Sequence, residues 1–405
     1  MGLCPEPPER KCERMNAQSA ILLIPDDTGR TGASRPLLLQ RIMGTPLLCW
    51  FTASLQGHGL RRCLLVCPER WLETAKSCLP ADLDAIAVTE PSADLLSAFL
   101  AEEDGEVLII TGPAVYIPGN AILTEEDLTD APTGVCTVSA DYLTASLDES
   151  FSIGAFLREH GDVCTEEDGF FAVTSADELA DWQPILKRLF LYGLAANGVE
   201  IWDYDNCYID PTVRIGAGTE ILPGTILRKG TVIGENCTIG PNALLEQAVI
   251  GNGVTVNASQ IYESSVGDKT TVGPFAYLRP HCRIGSDVKL GDFVEVKNSV
   301  VGDGTKVSHL TYIGDSDVGK RINFGCGTVT VNYDRAKKHR TVIGDDAFIG
   351  CNTNLIAPVT VGKGAYIAAG STITDDVPSD ALSIARARQI NKDDWASRNK
   401  IKEKK

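Results

Sequence analysis

From Ile209 to Ile373 the chain places an aliphatic residue at every sixth position over long stretches. Ile209, Ile215, Ile221, Leu227, Ile233, Ile239 and Leu245 form one unbroken series. Val266, Val272, Leu278, Ile284, Leu290 and Val296 form a second, and Ile343, Ile349, Leu355, Val361, Ile367 and Ile373 a third. Most are followed by glycine or a small residue, as in "RIGAGT", "TVIGEN" and "TVIGDD". Such a period is neither the alternation of a half-buried strand nor the helical repeat. It marks a parallel β-helix. Three flats close one triangular coil of about 18 residues, and coils stack at about 4.8 Å. The repeated aliphatic points inward, and glycine or small polar residues permit the corners. The span 209–375 predicts about nine coils, with open ends that need caps.

The rest of the composition narrows the class. A hydrophobic content of 43% suits a folded soluble protein. A net charge of −17 argues against nucleic acid as the partner, while leaving room for a local basic pocket. Thirteen cysteines, scattered from Cys4 to Cys351 without a C-x-x-C pair or zinc spacing, predict reduced thiols. No apolar run approaches the roughly 20 residues of a membrane span. The polar leader 1–18, "MGLCPEPPERKCERMNAQ", lacks the apolar segment of a signal peptide, and Met15 is an alternative start. These features predict a cytoplasmic protein.

Residues 19–135 alternate apolar runs with helical stretches. "SAILLIPD", "RCLLVCPE", "LDAIAVTE" and "EVLIITGP" read as strands; "LLCWFTASLQGHG", "RWLETAKSCL" and "ADLLSAFLAEE" read as helices. The alternation predicts a parallel α/β sheet within a domain over 19–175. A linker helix over 176–200 follows, then the β-helix over 201–380 and a charged tail over 381–405. The loop after the first strand, "PDDTGRTGAS", sits where α/β proteins bind phosphate, but Gly29 and Gly32 fit neither the P-loop nor the dinucleotide pattern. Asp26 and Asp27 would repel a phosphate unless a metal intervened.

The breaks in the repeat carry the chemistry. The spacing drops to five between Ile313 and Val318, and a polar, basic segment, "NYDRAKKHRTV", is inserted before Ile343. A basic loop leaving a rigid coil is a candidate functional element. Arg279 and Lys297 are 18 residues apart, so they stack on one face and call for an anion between them. The bland alternative is two solvated surface cations. Lys337, Lys338 and Arg340 in the loop, and His309 in the next coil, weigh toward the anion. A zinc site needs three ligands, and the spacings of His281, His309 and His339 match no multiple of the coil or its faces. Acyl transfer to an amine needs a base, and His309 is the natural one because imidazole titrates near neutrality.

These motifs also carry a resemblance. "GPFAYLRP", "GDFVEVKNS", "KVSHLTYIGD", "INFGCGTVTVNYD", "KHRTVIGDDAFIGCNTNLIAPVTVG", "AYIAAGSTIT" and "ALSIARARQ" cover most of 270–390. That region resembles the acetyltransferase domain of the bacterial bifunctional N-acetylglucosamine-1-phosphate uridyltransferase/glucosamine-1-phosphate acetyltransferase family. The resemblance implies a left-handed β-helix, a homotrimer, and sites built where subunits meet. It implies His309 as general base, with Arg279, Lys297, Tyr312, Asn323 and Lys338 holding the sugar phosphate. Asn332 and Tyr333 would sit near the acetyl group, and Cys326, Cys351, Ala369 and Arg386 along the acetyl-coenzyme A slot. The family generally has alanine at the position of Cys326 and serine at that of Cys351, so a serine hydrogen bond is missing.

The first domain resembles the family's uridyltransferase domain only faintly. Leu37 stands for the lysine after the proline, and Pro113 for the aspartate that ligates magnesium. "EPSADLLSA" replaces the Gly-Thr-Gly signature. The implied state is a truncated, degenerate nucleotidyltransferase-like domain kept as a cap or spacer. Magnesium would enter only if that domain were active. The resulting expectation is acetyl transfer from acetyl-coenzyme A to glucosamine 1-phosphate, feeding UDP-N-acetylglucosamine and cell-wall synthesis. The alternatives are an enzyme that also retains uridyltransferase activity, a non-catalytic trimeric sugar-phosphate scaffold, and an acetyltransferase for another amino sugar.

Overall fold

A computed structural model describes residues 17–399, apart from 32–33, 104, 118–132, 148–150, 152, 154–155, 158–161 and 165. Most of the predicted leader, Gly32 and residues 400–405 of the tail lie outside the described residues. The chain divides into two compact units, Met1–Arg214 and Ile215–Lys405.

The first unit is built on a six-stranded sheet. Its order is Asp84–Val88, Arg62–Val66, Ser19–Leu23, Glu106–Ile110, Val135–Ser139 and Asp162–Val163. The first four are parallel, where the β-α-β pattern predicted them. Val135–Ser139 runs antiparallel to Glu106–Ile110, so the sheet is mixed rather than parallel. The α/β alternation ends at Glu106–Ile110, and an antiparallel neighbour needs no helical crossover. Three of the parallel strands, Ser19–Leu23, Arg62–Val66 and Glu106–Ile110, are buried on both faces, and Asp84–Val88 forms a more exposed edge. Ala20, Leu22, Cys63, Leu65, Leu108 and Ile110 pack into one core. Ile21, Leu64, Val107 and Ile109 pack into another. That is why these strands read as continuous apolar runs. A helix over Glu178–Ala196 closes this part of the chain.

The second unit is a three-sided parallel β-helix. One side stacks, in order, Glu220–Ile221, Thr238–Ile239, Thr255–Val256, Thr271–Val272, Lys289–Asp292, Lys306–His309, Asn323–Phe324, Phe348–Ile349, Tyr366–Ile367 and Leu382–Ser383. The inward partners Ile221, Ile239, Val256, Val272, Leu290, Val307, Phe324, Ile349 and Ile367 follow at steps of 16 to 18 residues, with one step of 25 at the inserted loop. The uniform coil of about 18 residues is therefore an idealisation. Buried hydroxyls beside the aliphatic core are hydrogen-bonded between coils. The Cys237, Cys282, Val288 and Ile322 N–H groups donate to Thr219, Ser264, Thr270 and Thr305 at 3.0–3.2 Å. These bonds satisfy polar groups that burial would otherwise make costly.

The corners differ from expectation. Gly218, Gly224, Gly304 and Gly327 take positive φ, but so do Phe275 (59°), Phe293 (56°) and Leu310 (45°). Bulky residues rarely adopt this region. The stacked coils help impose it, because corner N–H groups bond to the coil before, that of Phe275 to Ala258 and that of Leu310 to Asp292.

Candidate active site

His309 ends the strand Lys306–His309, and the register sets it beside Asp292 of the preceding coil. Its Nδ1 lies 2.5 Å from Asp292 Oδ1. That contact, chiefly, holds the Asp292 carboxyl below its usual range. The imidazole is 56% exposed, so Nε2 can meet a substrate. Sequence reasoning missed Asp292. The two residues are 17 apart, and strict 18-residue counting would have set Asp292 against Leu310.

The cation cluster has more members than the foreseen Arg279, Lys297 and Lys338. The pairing of Leu278 with Val296 places Arg279 beside Lys297. Arg279 Nη1 also meets Glu295 Oε1 at 3.0 Å, so its charge is partly compensated within the chain. Lys297 meets Lys338, reaching in from the inserted loop. This contact, then desolvation and the charge of Arg279, push its ammonium below the usual lysine range. Asp315, buried nearby, draws that ammonium the other way and accepts bonds at 2.5 Å from Asn298 Nδ2 and Asn332 Nδ2. Glu295 and Asp315 were also missed, because their acidity reads as solvated surface until the coils are stacked. Three cations crowding one patch remain favourable ground for a phosphate.

Tyr312 borders this patch. Its hydroxyl lies 3.4 Å from Asn332 Nδ2, and its ring lies over Gly314, where a β-carbon would collide with it. The inserted loop is ordered by its own polar groups. Asp334 Oδ1 accepts the Ala336 and Lys337 N–H groups at 2.8 Å, and Oδ2 meets His339 Nε2 at 2.7 Å. Tyr333 donates its hydroxyl to the Arg335 carbonyl at 2.6 Å. Arg340 does not join the anion patch. It forks onto Asp317 at 2.9 and 2.5 Å and anchors the loop's end. His309 and His339 thus serve separate carboxylates, and His281 occupies a corner at φ 68°.

One column joins several of the remaining candidates. The registers Leu290–Val307–Phe324–Ile349–Ile367 carry Asp292, His309, Cys326, Cys351 and Ala369 along at equivalent positions. Backbone bonds confirm the stacking: Asn352 N to Cys326 O and Gly370 N to Cys351 O, both 2.8 Å. The Arg386 side chain lies over Gly370, next to Ala369. Asn323 is not brought to the cation patch. It lies on the side shared with Lys306 and Phe348, whereas Arg279, Lys297 and Tyr312 belong to another. Tyr333 stays exposed on the loop.

In the first unit, Leu37 lies in a buried turn, Leu37–Leu39, and its N–H donates to Asp27 Oδ1 at 3.2 Å. Pro113 is buried, and its carbonyl accepts from Val173 at 2.9 Å. Asp26 is engaged by Thr28 Oγ1 at 2.6 Å and by Arg70. Among the described residues no helix is long and apolar enough to cross a membrane.

The fold belongs to a recognisable class. Residues 212–247, 263–298 and 340–375 match the bacterial transferase hexapeptide repeat, the unit from which left-handed β-helices are built. The particular likeness is to the bifunctional protein GlmU. Identity is 55% over 245 residues with that of Clostridium perfringens, covering 60% of this chain and 54% of the relative. It is 53% over 230 residues with that of Clostridium kluyveri, covering 57% and 50%. The chain spans about half the length of the curated relatives it matches. The resemblance carried by the sequence motifs is thereby shown. A solved UDP-N-acetylglucosamine acyltransferase matches 46% of this chain and 71% of its own at 20% identity and a TM-score of 0.33. That match is too distant to bear on the assignment.

Proposed function

We propose that the chain transfers the acetyl group of acetyl-coenzyme A to the 2-amine of glucosamine 1-phosphate, giving N-acetylglucosamine 1-phosphate for UDP-N-acetylglucosamine synthesis. One observation carries the proposal: the Asp292–His309 pair and the Arg279–Lys297–Lys338 cluster occupy neighbouring sides of the same coils. The cluster binds the sugar phosphate, with Tyr312 and Asn332 at its edge. His309 Nε2 accepts a proton from the amine as the nitrogen attacks the thioester carbonyl. Asp292 holds the other ring nitrogen and stabilises the imidazolium that forms. The tetrahedral intermediate expels the coenzyme A thiolate, which takes up the proton from His309. The donor runs past Cys326, Cys351 and Ala369 toward Arg386, and Asn332 and Tyr333 face its acetyl end.

The site is incomplete within one chain, which supports a homotrimer. Asn323 lies on a side away from the cations. Phe275 (59% exposed), Phe293 (57%) and Leu310 (55%) form an apolar ridge along a corner, beside Asp292 and His309 in sequence, with the two phenyl rings stacked at 5.5 Å. A partner covering that ridge would bring its own side chains to His309.

The second reading keeps uridyltransferase activity, as the relatives' name "bifunctional" suggests. Buried Leu37 and Pro113, in place of a lysine and a metal-binding aspartate, weigh against it. Coenzyme A release with glucosamine 1-phosphate against a panel of amino sugars tests the main proposal. Wild type should turn over, and His309→Ala should lose about a hundredfold or more. A variant as active as wild type defeats the mechanism; an inactive wild type favours a scaffold. Pyrophosphate release from UTP, magnesium and N-acetylglucosamine 1-phosphate would restore the second reading.

A further inference from the structure

Nine of the eleven described cysteines are buried; Cys326 is half-buried and Cys351 exposed. Burial pushes the Cys63 thiol up to about 12 and those of Cys67 and Cys207 up to about 11, which withholds the reactive thiolate. The two accessible cysteines are not scattered. They occupy the same position of consecutive coils, each opening the turn after an inward apolar residue, Phe324 and Ile349. Cys326 O accepts the N–H of Asn352, and a β-carbon on Gly325 would collide with the Cys351 backbone nitrogen. Adjacent coils lie about 4.8 Å apart, inside the Cα separation a disulfide spans, and the β-carbons need approach by only about 1 Å. The column continues with His309 on one side and Ala369 on the other, so it brings no third thiol next to the pair.

We propose that Cys326 and Cys351 form a reversible dithiol–disulfide pair, oxidised by small-molecule disulfides. The exposed Cys351 thiolate attacks the disulfide, breaking its S–S bond. One thiol is released, and the other half stays on Cys351. The Cys326 thiolate, its proton passing to solvent or to His309 in the next coil, then attacks the Cys351 sulfur and releases the second thiol. Two protein thiols are oxidised, and one small disulfide is reduced to two thiols. The bond lies on the path assigned above to the acetyl donor, so closure should block acetyl transfer. That consequence, unlike the bond itself, rests on the proposed function.

The test treats the reduced full-length protein with oxidised glutathione, alkylates the remaining thiols and maps peptides by mass spectrometry. The expected product is a Cys326–Cys351 cross-linked peptide carrying no glutathione, reversed by dithiothreitol. Peptides with Cys4 and Cys12 are read separately. Cys326→Ala should leave glutathione trapped on Cys351. Persistent glutathione on wild-type Cys351, or full alkylation of both cysteines, overturns the proposal. Acetyl transfer is assayed on the same samples. A cross-link with unchanged transfer refutes the block, and a cross-link in a chain that never transfers acetyl refutes only the assigned function.

Discussion

His309, the proposed base, is held by Asp292, a residue that by itself says nothing of chemistry. Their contact is made by a coil one residue short of the ideal, so the interruption that spoils the count also builds the pair. Asp292→Asn should lower kcat by roughly tenfold or more, within the range that general-base catalysis contributes, and leave the KM for acetyl-coenzyme A nearly unchanged. The sign of the pH effect follows from the depressed carboxyl. Its stabilisation is present above the unfolded carboxylate value and is lost as pH falls through the lower folded value. Melting curves of wild type and Asp292→Asn should therefore converge in strong acid. Lys297 has the opposite character. Its ammonium is depressed by Lys338, desolvation and Arg279, so its protonation at neutral pH works against the fold, and that penalty fades as pH rises through the folded value. Lys297→Gln should melt higher than wild type without ligand, yet lose the stabilisation that added glucosamine 1-phosphate confers. If the variant melts lower without ligand, the crowded-cation account of the patch fails.

At the scale of elements, the anion patch combines one side of the β-helix with the loop after Val331. The side supplies Arg279, Lys297 and Tyr312 from consecutive coils, and the loop delivers Lys338. The loop holds its shape through Asp334 and His339 and through the Arg340–Asp317 fork, so part of its charge is engaged in anchoring it. "NYDRAKKHR" looked uniformly basic in sequence; only its folding separates the anchoring Arg340 from Lys338. Gly314 shows the same dependence on packing. Adding a methyl there would drive Tyr312 off the coil. Gly314→Ala should raise the KM for glucosamine 1-phosphate and cost about 1–3 kcal/mol of stability from overpacking, measured by steady-state kinetics and urea unfolding.

For the whole molecule, the ridge of Phe275, Phe293 and Leu310 is the feature a single chain leaves unexplained. These residues combine a disfavoured backbone with exposed apolar surface. Asparagine tolerates positive φ better than phenylalanine. Phe293→Asn should therefore relax the corner while weakening self-association, seen as a shift toward monomer in sedimentation velocity together with loss of acetyl transfer. An intact trimer would dismiss the ridge as an interface. The sequence alone determined the β-helix, because a hexapeptide period of aliphatic residues has one way to be buried. It also determined the parallel strands of the first unit and the stacking of Arg279 on Lys297, and it singled out His309 as the candidate base. Only the tertiary structure decided which carboxylates attend those groups, that Arg340 pairs with Asp317, that Val135–Ser139 reverses direction, and that Cys326 and Cys351 share a column with His309. Periodicity reports which side chains point inward. Contacts between coils depend on the summed lengths of every turn between them, and a one-residue change in any turn shifts each outward partner.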